Sequence, residues 1–249
     1  MKTIRLSFVV MLLLGAVACR KNDYSSRGFN NGNNNVSNSE AADMVAASLS
    51  INSNGVVDIA EDVTLNAASM ASGHITCGET KSDTISRQNP SGSSTTYSYS
   101  LKYNYVVNCN ASSQPDSLLS SLIYSGSFSN KSLSSANSGS SIFNVSGLTG
   151  DSTNYVINGE YKRAGSFTSK TDTTSTGNNN IDIAIKALTL KKPSRIITGG
   201  NATISVTGSV PKKGNFSYTG TLVFNGDNTA TLTLNGTIYK INLNTGQRY

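Results

Sequence analysis

The stretch Tyr97-Ser98-Tyr99-Ser100-Leu101-Lys102-Tyr103-Asn104-Tyr105-Val106-Val107-Asn108 decides the fold. Its odd positions are all aromatic or aliphatic, and its even positions are polar except for Val106. A period of two means a β-strand with one face in a core and the other in water. The run is about twice as long as an ordinary strand.

Just before it, Asn89-Pro90-Ser91-Gly92-Ser93-Ser94 is a dense turn signal. Residue 93, inside that turn, is also the midpoint of Cys77 and Cys109. A hairpin about this point sets Tyr105 opposite Lys81, Tyr103 opposite Asp83 and Tyr99 opposite Arg87. An aromatic stripe beside charges suits a wet concave face, so Tyr99, Tyr103, Tyr105 and Lys81 are candidate ligand-binding residues. The competing expectation is a core in which Val56, Val63 and Met70 cover the rings.

Weaker alternation recurs at 119–129, 141–147, 154–168, 180–190, 202–210 and 215–224. Near the C-terminus, Leu234-Asn235-Gly236-Thr237 is the signature of a type I′ hairpin, pairing Leu232 with Tyr239 and Ala230 with Ile241. A three-residue loop at Asn225-Gly226-Asp227 is expected to pair Leu222 with Ala230. These signals predict a mostly β fold, an antiparallel meander of about ten long strands over 74–249. It would form a barrel or a strongly curved open sheet. An immunoglobulin-like sandwich is the alternative, but its strands are shorter and the chain has no Trp to bury.

Two amphipathic helices are expected ahead of the sheet, over 39–73. In the first, Ala41, Met44, Val45 and Leu49 fall at helical spacing behind Ser39 as N-cap. The second places Val56, Ile59, Ala60, Val63, Ala67 and Met70 on one face and ends at Gly73. Helices and sheet are expected to form one domain. Before them, 19–38 holds Asn30-Asn31-Gly32-Asn33-Asn34-Asn35 and has little to bury, which predicts a disordered tether. A flexible coil of about 19 residues spans about 25 Å.

The N-terminus indicates a compartment. Lys2 and Arg5 precede the apolar run Phe8 to Leu14, then Gly15-Ala16-Val17-Ala18 and Cys19. That order reads as a secretory signal over 1–18, too short for a spanning helix, which needs about 20 apolar residues. Ala16-Val17-Ala18-Cys19 resembles the lipobox of bacterial lipoproteins, with Ala16 where the family prefers Leu. The resemblance implies cleavage before Cys19, acylation of that cysteine and a membrane partner held through lipid. Acyl chains contribute about 0.8 kcal/mol per buried CH₂, so two or more hold a soluble body on a bilayer. Arg20 replaces the Asp that retains enteric lipoproteins at the inner membrane. The implied destination is therefore the outer membrane, facing periplasm or cell surface.

Export also bears on the other two cysteines. In an oxidising space Cys77 and Cys109, opposed in the hairpin, are expected to form a disulfide.

Composition excludes more than it assigns. Charged residues are 14% and apolar ones 37%. Loss of Lys2 and Arg5 leaves 18 − 14 = +4 from the 20 Lys+Arg and 14 Asp+Glu. The bases are scattered, and the doublets Lys191-Lys192 and Lys212-Lys213 lie beside prolines in apparent turns, so no nucleic-acid partner is expected. The one histidine, His74, lacks a Gly-x-Ser-x-Gly elbow or clustered metal ligands. Ser209-Val210-Pro211-Lys212 matches Ser-x-x-Lys but runs off a strand into a Pro turn. No metal or cofactor motif is present, and the chain is not expected to be an enzyme. Two expectations remain. One is a binding or structural body for envelope glycan, peptide, lipid or protein. The other is a carrier of a hydrophobic ligand, because the architecture resembles the half-barrels of lipoprotein and lipid carriers.

Overall fold

A computed structural model describes residues 36–72, 76–89, 95–149, 151–171, 175–211 and 214–249. The expected signal over 1–18, Cys19, His74, the first hairpin turn and Lys212-Lys213 lie outside the described residues.

Two helices come first, α1 (Asn38–Leu49) and α2 (Val56–Ser72), joined by a 3₁₀ turn at Ile51–Ser53. The N-cap of α1 is Ser37, not Ser39. Its hydroxyl accepts from the Glu40 amide while the Glu40 carboxylate accepts from the Ser37 amide, a reciprocal capping box. The expected tether over 19–38 thus includes structured residues at its end, with Val36 fully buried. Helix α1 also departs from a one-sided stripe. Every residue from Glu40 to Leu49 is buried, and the small Ala41, Ala42, Ala46 and Ala47 permit close approach all round.

Eleven antiparallel strands follow in sequential order. They are β1 (Thr80–Gln88), β2 (Thr96–Cys109), β3 (Pro115–Ser129), β4 (Leu133–Ser146), β5 (Asn154–Ser169) and β6 (Thr176–Lys191). Then come β7 (Ile196–Val210), β8 (Gly214–Phe224), β9 (Thr229–Leu234), β10 (Thr237–Asn242) and the two-residue β11 (Gln247–Arg248). Each strand pairs with the next, and β1 and β11 are the two edges. The sheet is one open meander, neither a closed barrel nor a sandwich.

The expected registers mostly hold. Lys81 pairs with Tyr105, Asp83 with Tyr103 and Arg87 with Tyr99. Cys77 and Cys109 are joined, their Cα atoms 5.7 Å apart. Asn235 and Gly236 have φ of 44° and 80°, the positive pair of a type I′ turn, with Leu232 opposite Tyr239. The β8–β9 loop differs. It has four residues, 225–228, with Asn228 at φ 59°, so Phe224 meets Ala230 and Leu222 meets Leu232. The slip of two residues keeps the apolar side inward, which is why alternation alone could not detect it.

One face of the sheet is a core against the helices. Leu101, Leu122, Phe143, Tyr161, Ile183, Val206 and Leu232 are all at most 1% exposed. Rings on this face lie over glycines of a neighbouring strand. Gly126 pairs with Tyr99, and a Cβ there would come within 2.4 Å of the Tyr99 ring. The same pairing recurs at Tyr124–Gly139 and Phe216–Gly208. Both edges reach the helix pair, since Arg87 of β1 bonds α2 and Arg248 of β11 bonds α1. The sheet therefore curls around its helices.

Candidate functional site

Strand alternation turns Tyr99, Tyr103 and Tyr105 to the inner face, where they are 3%, 0% and 0% exposed. Helix α2 covers the last two. The Tyr103 hydroxyl donates to Asp62 at 2.7 Å, and the Asn66 amide donates to the Tyr105 hydroxyl at 3.1 Å. Lys81 donates to the side-chain Oδ1 of Asn66 at 2.9 Å, so Lys81, Tyr105 and α2 form one chain of bonds. The Tyr103 and Tyr105 rings stack, centroids 5.5 Å apart. Burial, then the Asp62 carboxylate, pushes the Tyr103 phenol well above its ordinary value, and burial does the same to Tyr105. Both stay neutral phenols at any physiological pH, Tyr103 donating to Asp62 and Tyr105 accepting from Asn66. The open tyrosine groove is thus absent: these rings are core, as the competing expectation had it.

Tyr99 belongs to a different group. Its hydroxyl meets the Asn137 amide, and its ring packs edge-on to Tyr124, which stacks on Tyr161. At the centre of this group stands Arg163, 3% exposed. Its guanidinium donates to the main-chain carbonyls of Ala47 (3.2 Å), Ser53 (2.7 Å) and Asn54 (3.0 Å). It also lies over the Phe128 and Tyr161 rings, at 5.5 and 5.6 Å. Burial works against its charge, but the surrounding Tyr161, Tyr99 and Tyr124 hold its pKa above the usual value. A cation gripping the C-terminal carbonyls of α1 and of the 3₁₀ turn suits the negative end of the helix dipole.

Two further arginines fasten the helices at the sheet edges. Arg87 on β1 reaches Asp58 at 2.5 Å and also Asp62. Arg248 on β11 reaches Asp43 at 2.6 Å and Ser39 at 2.5 Å, its guanidinium over the Tyr239 ring. The arrangement can therefore clamp the helices at both edges and at the middle. Arg163 was detectable in sequence as the one base at an inward position between Tyr161 and Phe167, but nothing there marks its partners as carbonyls.

The other face of the sheet is wet. Ser86, Ser100, Ser125 and Ser138 stand in one register line across β1 to β4, all exposed. A recess of about 440 Å³ opens over β1 to β3, lined in part by Ser86, Gln88, Ser98, Ser100 and Ser125. Among the described residues, no three His, Cys, Asp or Glu side chains group as a metal site, and no helix is long and apolar enough to cross a membrane. No protein-family model, curated protein or solved structure matches the chain.

Proposed function

We propose that this chain is a membrane-anchored envelope lipoprotein with a non-catalytic structural or binding role, its body held at the outer membrane through lipid on Cys19. The anchor rests on the signal and lipobox-like residues 1–19. The role rests on one observation: the protein's own helices occupy the inner face, clamped by Arg87, Arg163 and Arg248. What remains for partners is the outer face, rich in serine, threonine and asparagine. Uncharged hydroxyls and amides that both donate and accept suit an envelope glycan, peptide or protein partner.

Radiolabelled palmitate tests the anchor. Wild-type protein should take up label and fractionate with membranes, and Cys19→Ser should lose both. A soluble, unlabelled wild-type protein would leave a plain secreted domain.

A carrier of a hydrophobic ligand is the second reading, and a specific observation favours it. Ser120 and Ser141 lie on the inner face, and Asn54 sits in the turn between the helices. Their buried side-chain polar atoms have no hydrogen-bond partner among the described residues. Such groups cost about 1–3 kcal/mol each, which suits a seam that can part. Parting would bare the aromatic inner face to a ligand.

A further inference from the structure

We propose that Asp58, Asp62 and Arg87 form a proton-sensitive latch, fastening α2 to the free edge strand β1 more tightly in acid than at neutral pH. Strand β1 pairs only with β2, so its other hold on the molecule comes through side chains. Arg87 supplies two of these, to Asp58 and Asp62. One guanidinium faces two carboxylates, four residues apart on one side of α2, with side chains only 14% and 10% exposed. With both acids ionised, a net negative charge is confined in a poorly hydrated seam.

The two acids are not equivalent. Asp62 accepts from Arg87 and from the Tyr103 hydroxyl, whereas Asp58 accepts from Arg87 alone among the described side chains. Asp58 is therefore the group that takes up a proton. The surrounding charges agree. Glu61 and Asp62 on α2 oppose its ionisation, Arg87 favours it, and the neutral phenols of Tyr103 and Tyr105 close the β2 side. On β1, Lys81 is engaged by Asn66, and Asp83 adds another negative charge near Tyr105. Arg195, from the β6–β7 turn, acts on Glu61. Burial is the largest influence and pushes the Asp58 carboxyl up to about 6, from 3.8. Glu61 moves in the same direction, again chiefly through burial.

The sign follows from linkage. A carboxyl with a raised pKa in the closed seam binds protons better closed than open. Closure therefore gains as pH falls through about 6, and the gain is complete near 4. Above about pH 7 neither state holds the proton, and Asp58 adds no further pH dependence.

The test uses the wild-type protein first. Carbonyl-detected NMR should show the Asp58 carboxyl titrating with a midpoint near pH 6, and a midpoint below pH 5 would overturn the proposal. Amide exchange in α2 and β1, corrected for intrinsic rates, should then show an opening constant about tenfold smaller at pH 5 than at pH 7. Asp58→Asn should lose most of this change, keeping only what Glu61 contributes. A wild-type opening constant that stays level or rises towards acid overturns the latch, whether or not the variant folds.

Discussion

The Tyr103 hydroxyl donates to the Asp62 carboxylate across 2.7 Å, tying the middle of β2 to α2 beneath a fully buried ring. That bond makes Tyr103 a core residue with a polar handle. Tyr103→Ala should cost about 3–5 kcal/mol in urea unfolding, the range for emptying a large buried side chain. Tyr103→Phe keeps the packing and loses only a bond to a charged acceptor, so its cost should be about 1.5–3 kcal/mol. A change within about 0.5 kcal/mol for Tyr103→Ala would mean the ring is exposed in solution.

Arg163 makes a different kind of tie. Its removal strands three carbonyls at about 1–3 kcal/mol each, so Arg163→Met should destabilise by at least about 3 kcal/mol. Faster amide exchange should appear first at the C-terminal end of α1. Arg163→Lys should rescue little, because a single ammonium cannot reproduce the planar fork that spans Ala47, Ser53 and Asn54. Full rescue by lysine would show that charge alone matters.

The serines of the two faces should separate cleanly. Ser100→Ala, on the outer face, should stay within about 0.5 kcal/mol. Ser141→Ala removes a buried hydroxyl with no partner among the described residues and should be neutral or stabilising. A loss above about 1 kcal/mol at Ser141 would reveal a bonded hydroxyl.

The bridge between Cys77 and Cys109 closes the β1–β2 hairpin, 32 residues apart in sequence. Non-reducing peptide mapping of the purified protein should recover the two cysteines joined. Replacing both with Ala should lower stability by about 2–5 kcal/mol. Free thiols on both cysteines in protein purified without reductant would contradict the pairing.

The legible parts of this fold are those governed by local chemistry. Alternation over Tyr97–Asn108 and the turn before it set the β1–β2 register to the residue, and Asn235-Gly236 did the same for β9–β10. Ser37-Asn38-Ser39-Glu40 carried the capping box in plain view, two residues ahead of the cap that helical spacing alone suggests. The helix clamps were not legible, because they join residues far apart in sequence. Arg248 and Asp43, for example, are 205 positions apart. Whether the sheet closes was equally hidden, since edge-to-edge pairing leaves no local signature. The outer face was visible as polarity, but the serine line from Ser86 to Ser138 needed four strands in register.

The claim that the inner face is filled by the protein's own helices is tested most directly by titration with a neutral hydrophobic fluorophore such as N-phenyl-1-naphthylamine. The folded, unlipidated Cys19→Ser protein should show no saturable rise in emission at micromolar concentration. Saturable one-to-one binding, reversed by a fatty acid and abolished by a bulky substitution at inner-face Ser141, would contradict the account and establish a ligand chamber.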